Sequence, residues 1–390
     1  MHTQKIEVST DSLSWARLAA IVLFAAITPT ILMTAPAVAA QLASQWHLSP
    51  SHIGDLFSVE LGAMSLATLP AFWWLKRVNW RRAALVAAVA FISANLLSML
   101  ADTYTVLLAL RFASALAGGS LMIICLASAA TTANPSRVYG LWVMGQLVVG
   151  AIGLAVLPSL FERYGLNACY LILAVLMALL LPLARSFPCG SPPPRVTDAL
   201  SLPGSRWKAA LGVGAVLAFY VSLGGVWTFI GALGAGAGIS PQHTGQVLAV
   251  ATMMGIVGAA SASLMGPRLP RVALLLVGYA LMAAAVVLLL GQPALLRFAL
   301  AALLFKFTWT FILPLVLACL ADLDHSGKLM NASNLVIGGG LAIGPAIAGR
   351  LIETSGGFTA LLLGGAAITL LSLGMILGSR PQTPTELEPV

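Results

Sequence analysis

The sequence predicts an all-α membrane protein in which twelve transmembrane helices form two pseudo-symmetric six-helix halves. Three observations lead to this fold class. The 390-residue chain is 59% hydrophobic and only 8% charged, too little charge for the polar surface of a soluble protein. It contains twelve apolar runs long enough to cross a bilayer. Several short sequence segments also recur at an offset of 191 residues, about half of the chain.

The twelve apolar runs are numbered here as spans 1 to 12. A helix needs about 20 mostly apolar residues to cross the hydrocarbon core. Backbone groups in lipid must be hydrogen-bonded within the protein. The segments of about ten residues with alternating hydrophobic and polar side chains that are typical of barrels do not occur in the sequence. The spans are therefore predicted to be helices. Their predicted bounds are 15–40, 51–75, 83–101, 104–132, 138–161, 167–185, 207–234, 243–265, 271–290, 295–321, 330–353 and 358–379.

The repeat is clearest in two segments, LSPSHIGDLFSV at 48–59 and ISPQHTGQVLAV at 239–250. In both, a Ser that can cap a helix precedes a Pro that suits its first turn. Gly54 and Gly245 follow, where a small residue permits close helix contact. The repeat predicts an N-terminal half at 1–185, a cytoplasmic linker rich in Pro, Ser and Gly at 186–206, and a C-terminal half at 207–390.

The positions of the basic residues predict the orientation. If both termini are cytoplasmic, 15 of the 20 Lys and Arg residues fall on or near the cytoplasmic side, which is the positive-inside bias. The net charge of +8 is then mainly a topology signal, and we expect no nucleic-acid partner. The expected location is the cell membrane, either an inner or a plasma membrane, with multiple spans and both ends in the cytoplasm.

Several kinds of chemistry are not expected. The four cysteines are scattered along the chain, so neither a disulfide nor a metal site is predicted. The sequence has no GxxxxGK[ST] phosphate loop, HExxH stretch or nucleophile elbow. We therefore expect no enzymatic activity and no cofactor, and an ion or solute gradient is the expected source of energy.

Two six-helix halves joined by a polar linker resemble the major facilitator superfamily over essentially the whole chain. LALRFASALAGGS, 108–120, is similar to that family's fourth-helix motif. GLAIGPAIAG, 340–349, is similar to its antiporter Gly-Pro motif but lies in span 11, and the matching span-5 stretch has Leu154 in place of the Pro. The loop PAFWWLKRVNWRR, 70–82, has the family's basic residues and lacks its carboxylate. The resemblance implies a monomeric transporter, with gating roles for Arg77, Arg81, Gly344 and Pro345.

Charges that occur in only one half indicate local function. Glu60 faces Ala251 in the repeat, Asp55 faces Gln246, Arg111 faces Ala302, and Lys306 faces Ala115. By contrast, Glu162 recurs as Glu353, and Arg137 as Lys328, so these two pairs are assigned to the shared fold. Glu60 and Lys306 lie roughly 15–18 Å from the outer ends of their helices, near the midplane. A charge there costs at least about 2.5–3.5 kcal/mol unless it has a partner or a wet cavity.

Two interpretations of these charges remain open. In the first, Lys306 and Arg111 hold an anionic group of a solute, while Glu60, with Asp55 at the mouth, couples protons to transport. In the second, Glu60 pairs with a basic residue only to be tolerated in the membrane, and Arg111 braces its own half. The aromatic residues along the same path form either a substrate wall or packing against lipid or neighbouring helices: Tyr220, Trp227, Phe305 and Trp309.

Two further features of the sequence are also ambiguous. Pro29 and Pro36 either break span 1 near the solute or produce tolerated kinks. His52 and His243 are either a proton relay or metal-binding pair, or simply polar residues at hydrated helix starts.

The sequence thus predicts a proton-coupled secondary active transporter for a small organic solute, an organic anion, working by alternating access. The alternatives are a drug or metabolite exporter that exchanges protons and, from another class, a non-transporting receptor or scaffold. The partners expected are the solute, protons and the lipid bilayer.

Overall fold

The computed structural model describes residues 14–189, 206–323 and 328–380, and every regular element in these ranges is helical. Most of the predicted linker lies outside the described residues. The N-terminal half contains six helical spans in the predicted order. Span 1 is Trp15–Ile27, Thr30–Met33 and Ala35–Gln45, span 2 is Pro50–Leu66 and Thr68–Trp74, span 3 is Trp80–Ser98, span 4 is Tyr104–Ala130, span 5 is Pro135–Tyr164, and span 6 is Asn167–Leu180 followed by a 3-10 turn, Leu181–Ser186.

The C-terminal half repeats this arrangement. Its helices are Arg206–Gly236, Pro241–Met265, Arg271–Val287, Leu295–Leu323, Lys328–Ser355 and Thr359–Ser379, which correspond to spans 7 to 12. Within the described ranges, nine helices are individually long and apolar enough to cross a membrane. Spans 1, 2 and 9 consist of shorter helices. The all-helical membrane fold predicted from the sequence is confirmed, and the described helices are consistent with the twelve predicted spans.

The repeated Ser-Pro pairs begin spans 2 and 8 as predicted. The Ser49 and Ser240 side chains accept hydrogen bonds from the backbone N–H groups of His52 and His243, and the adjacent prolines occupy the first helical turn. The same serine hydroxyls lie 3.1 and 2.9 Å from the Nδ1 atoms of these histidines. The histidines therefore lie at exposed helix starts within their own caps.

The glycines of the repeated segment lie where the two halves meet. Gly54 in span 2 packs against the carbonyl of Pro345 in span 11, and Gly245 in span 8 packs against the carbonyl of Leu154 in span 5. A Cβ at either glycine would overlap the facing oxygen. These two contacts are related by the 191-residue offset. The repeat has therefore retained a glycine at each crossing, although the residue that faces it is Pro in one half and Leu in the other.

The repeated carboxylates also join the halves at the face that we predict to be extracellular, called the outer face below. Glu353 accepts a 3.1 Å hydrogen bond from the backbone N–H of Ser51. Glu162 accepts a hydrogen bond from the Gln242 side chain, at the position related by the repeat. Both contacts connect the outer end of span 5 or 11 to the start of span 8 or 2.

Span 1 is divided at Thr28–Pro29 and at Thr34, which favours the broken-helix interpretation of its two prolines. In a regular helix, the N–H of residue i bonds to the carbonyl of residue i−4, and proline has no N–H. Pro29 and Pro36 therefore leave the Ala25 and Leu32 carbonyls without their usual donors. Side chains from other spans bond to both: Gln146 Nε2 donates to Ala25 O at 3.0 Å, and Trp227 Nε1 donates to Leu32 O at 2.9 Å.

Candidate functional site

Glu60 and Arg111 form the charged centre of the N-terminal half. Arg111 Nη1 lies 3.5 Å from Glu60 Oε1, and the two side chains are 1% and 9% exposed. Arg111 Nη2 donates to Asn95 Oδ1 and to Ser98 Oγ, each at 3.0 Å. Its guanidinium also lies 4.4 Å from the centre of the Tyr170 ring. The Arg111 side chain is thus surrounded by spans 2, 3 and 6 of its own half.

Glu60 is the buried carboxylate in the part of the chain that the structure describes. The other acidic side chains in these ranges are exposed or half-buried. Glu60 borders a cavity of about 10 Å³ that is also lined by Thr28 and Pro29 of span 1, about the smallest cavity that can hold one water molecule. Glu60 therefore lies next to both Arg111 and the break in span 1.

Lys306 occupies a separate, aromatic environment in the C-terminal half. Its Nζ lies 3.6 Å from the centre of the Trp227 ring and 4.4 Å from that of Trp309, and the residue is 3% exposed. Among the described residues, no carboxylate lies within 4.0 Å of this ammonium. Cation–π contacts stabilise a desolvated cation by about 2 kcal/mol, less than the cost of burying an isolated charge.

The aromatic residues singled out in the sequence are buried and lie against one another. Trp227 and Phe305 are stacked with their centroids 6.4 Å apart, and Phe305 meets Trp309 edge-on at 6.0 Å. Tyr220 lies 6.3 Å from Trp309. The rings therefore form a cluster around Lys306 rather than a surface toward lipid, and two indole faces are directed at the ammonium.

The structure brings Glu60 and Arg111 together and places Lys306 with the indoles. Lys306 is in the central segment of span 10, and Trp227 connects it to span 1 through the Leu32 carbonyl. Sequence reasoning missed this connection, although Pro36 carried a signal for it. A proline within an apolar span leaves a carbonyl that needs a donor from elsewhere.

At the outer face, Asp55 in span 2 pairs with Arg350 in span 11. The distances are 2.7 Å from Nη1 to Oδ1 and 3.3 Å from Nη2 to Oδ2. Asp55 was a candidate from the sequence, whereas Arg350 was not. The same symmetry argument would have identified Arg350, because its counterpart in the repeat is Ser159.

The four residues with implied gating roles lie in two places. The backbone of Gly344 packs against Val221 and Gly225 of span 7, and Pro345 contacts Gly54 of span 2. At the inner end, the Arg77 guanidinium lies 4.4 Å from the Trp73 ring centre. Arg81 Nε donates to the backbone carbonyl of Phe187 at the end of span 6.

Comparison with known proteins agrees with this architecture. The family description for the Major Facilitator Superfamily matches residues 18–336. The structure is similar to the nucleoside transporter NupG, with a TM-score of 0.73 at 11% identity, over 93% of this chain and 98% of that one. It is also similar to a bacterial homologue of the human lysosomal transporter Spinster in an inward-facing, occupied conformation. That match has a TM-score of 0.67 at 16% identity, over 93% of this chain and 96% of that one.

The unoccupied, inward-facing form of the same Spinster homologue matches with a TM-score of 0.64 over 94% of this chain and 98% of that one. At these identities the structural matches establish the fold, and the family match covers well over half of the sequence. Together with twelve spans in two repeated halves, they show that the chain belongs to the major facilitator superfamily.

Proposed function

We propose that the protein is a proton-coupled secondary active transporter that moves a small organic anion across the cell membrane by alternating access. The observation that carries this proposal is the Lys306 ammonium, which is buried near the midplane over two indole rings and faces no carboxylate among the described residues. A buried cation in this position needs a counter-charge. A carboxylate or similar group on the solute supplies it.

The proposal assigns different roles to the two basic residues of the path. Arg111 is neutralised by Glu60 and bonded to Asn95 and Ser98, so it serves as the partner of the proton-carrying carboxylate. Lys306 serves as the anion site. Its point charge suits a carboxylate that arrives and leaves, because Lys imposes no fixed bidentate geometry.

The aromatic residues set the expected shape of the solute. An anion bound at Lys306 would lie against the faces or edges of Trp227, Trp309, Phe305 and Tyr220. Such rings stabilise apolar or aromatic groups through burial and offset stacking. We therefore propose an organic acid with an aromatic or apolar body as the solute.

The two halves, 1–185 and 207–390, are the proposed moving units, joined by the cytoplasmic linker at 186–206. The halves meet through helix crossings at Gly54 and Gly245, where small residues allow close sliding contact. We propose that the protein is a monomer in the inner or plasma membrane. Both of its termini lie in the cytoplasm. Reporter fusions at Ser191 and at the C-terminus test the orientation, and an outside signal from either would contradict it.

The solute proposal is tested with purified protein in vesicles under an imposed pH gradient. Lys306→Ala is expected to weaken binding of organic acids at least about 10-fold, the effect of losing one charged hydrogen bond or ion pair. Lys306→Arg should retain part of the affinity. The panel includes aromatic and aliphatic acids, nucleosides and cationic dyes, assayed in both directions.

Two outcomes would contradict the proposal. One is transport of a neutral or cationic solute that is unaffected by Lys306→Ala. The other is unchanged acid affinity combined with a loss of folded protein, which would make Lys306 a structural residue. Arg297→Ala provides a matched control, because Arg297 is an exposed basic residue of the same span that donates to the Leu290 carbonyl.

A further inference from the structure

Trp227 contacts both the proposed anion site and the break in span 1. The face of its indole lies under the Lys306 ammonium, at 3.6 Å, while its Nε1–H donates to the Leu32 carbonyl at 2.9 Å. This residue is fully buried. A single rigid side chain therefore joins span 10, span 7 and span 1.

The acceptor exists because of Pro36. In a continuous helix, the N–H of residue 36 would bond to the carbonyl of residue 32, and a proline at position 36 removes this donor. An unpaired carbonyl in the membrane interior costs several kcal/mol. The Leu32 carbonyl is thus a strong acceptor located at a point where span 1 is already divided, and the indole of Trp227 is its donor from another helix.

One helical turn toward the outer face, spans 1 and 7 are in direct backbone contact. Gly231 packs so closely on the carbonyl of Pro36 that a Cβ at position 231 would overlap it. On the outer side of this crossing lies a cavity of about 360 Å³, lined by residues that include Pro36, Gln41, Glu162, Gly231 and Thr244. The crossing borders this outer cavity, and the Trp227–Leu32 bond lies one turn further in, beside Lys306.

We propose that the hydrogen bond between Trp227 and Leu32 holds the solute path closed on the outer side, and that Trp227 links this closure to occupation of the anion site at Lys306. Trp227 is a positioning residue in this scheme. An anion that draws the ammonium away from the indole face changes the energy of the ring position on which the bond to Leu32 depends. The second part of the proposal rests on the proposed function, whereas the first part does not.

The test measures access from the outside to a cysteine placed just beneath the closure. Thr28→Cys is suitable, because Thr28 lies one turn below Leu32 and its hydroxyl makes no hydrogen bond among the described residues. Cys189 is exposed and is replaced by Ser, while Cys125, Cys169 and Cys319 are buried. A membrane-impermeant maleimide is added to right-side-out vesicles. Ala37→Cys, in the outer cavity, confirms that the reagent reaches the entrance.

Trp227→Phe keeps an aromatic ring for Lys306 and removes only the N–H donor and part of the ring. Without substrate, we expect the cysteine introduced at position 28 to be labelled about 3- to 10-fold faster than in the protein that retains Trp227, the effect of losing one interhelical hydrogen bond. Trp142→Phe is the matched control. It makes the same chemical change at a buried indole of span 5 whose Nε1–H makes no hydrogen bond among the described residues, and we expect it to leave the labelling rate unchanged.

Replacing Trp227 with its sulfur isostere, 3-benzothienylalanine, keeps the ring size and removes only the N–H. It should behave as Trp227→Phe does, which separates the lost bond from lost packing. Equal labelling rates with tryptophan, phenylalanine and benzothienylalanine at position 227 would overturn the closure. A saturating organic acid should change the rate in the protein that retains Trp227 and not in Trp227→Phe. If an acid whose binding depends on Lys306 has no effect on the rate while the substitutions do, the closure stands and the link to Lys306 is wrong. If no acid binds in a way that depends on Lys306, the closure still stands and the proposed anion site is wrong.

Discussion

Arg111 and Glu60 form a buried ion pair, 3.5 Å between Nη1 and Oε1, that lies entirely within the N-terminal half. Asn95 and Ser98 complete the hydrogen bonding of one guanidinium nitrogen. The acidic and basic residues that sequence symmetry singled out near the midplane therefore divide into two sites. One is a neutral pair in spans 2 and 4, and the other is a cation in span 10. This division makes the roles of the two basic residues separable by experiment.

The first prediction concerns proton coupling. Glu60→Gln removes the buried carboxylate but keeps a polar group of the same size beside Arg111. We expect proton-driven accumulation to be lost while exchange of solute across the membrane partly remains, because exchange requires no net proton movement. Uptake and counterflow in vesicles measure the two activities. Asp102→Asn, at an exposed loop position, is the control. Normal accumulation by Glu60→Gln under a pH gradient would show that Glu60 is not the proton carrier.

The second prediction separates structural from solute-binding cations. Arg111→Ala leaves the Glu60 carboxylate buried without its partner, and breaking a buried pair in this way costs about 3–5 kcal/mol. We expect a clear fall in the thermal unfolding temperature and in membrane abundance. Lys306→Ala removes an unpaired midplane charge, so stability should be unchanged or higher. Arg163→Ala, an exposed basic residue at the end of span 5, is the control for charge alone.

The contrary result is equally informative. A stable Arg111→Ala protein that no longer binds an organic acid would place Arg111 in the solute site. The proposed separation of roles would then be wrong.

The third prediction tests the helix crossings of the repeat. Alanine at Gly54 or Gly245 would meet the carbonyl of Pro345 or Leu154, and overpacking of this kind costs about 1–3 kcal/mol. Because the clash arises only when the halves are closed at these crossings, we expect both variants to favour conformations in which the outer ends are apart. Distances between spin labels on spans 2 and 11, or on spans 5 and 8, measure this shift, and transport should slow.

Gly374→Ala is the matched substitution for the crossings. Gly374 lies inside span 12 with open space around the position of a Cβ, and replacing such a helical glycine stabilises a helix by about 0.5–1 kcal/mol. We expect normal transport from it. If Gly54→Ala and Gly245→Ala behave like Gly374→Ala, the crossings are not closely packed during transport.

The sequence was sufficient to predict the twelve spans and the two halves. The lengths of the apolar runs and the 191-residue repeat can both be found in the linear sequence, without knowledge of how the helices pack. It also identified Glu60, Arg111 and Lys306 as unusual. It could not predict their partners, because Glu60 and Arg111 meet through the packing of spans 2 and 4, and Lys306 meets Trp227 through the packing of spans 7 and 10. The sequence could not distinguish a break in span 1 from a kink, because a transmembrane proline is compatible with both.

The last prediction concerns Asp55 and Arg350. Their exposed ion pair contributes little to overall stability, because solvent screens it. It does connect spans 2 and 11 at the outer face, beside the Gly54–Pro345 crossing. Asp55→Arg places two cations opposite each other, so we expect the outer ends to separate and transport to fall. Arg350→Asp should have the same effect through two carboxylates. The double variant restores an attractive pair and should recover a substantial part of the transport rate and of the spin-label distance.

Because Asp55 is also a candidate for proton coupling, the double variant distinguishes its two possible roles. Recovery with Arg at position 55 would show that the pairing matters and that a titrating carboxylate there does not, whereas failure to recover, with both single variants well folded, would assign Asp55 to the proton path.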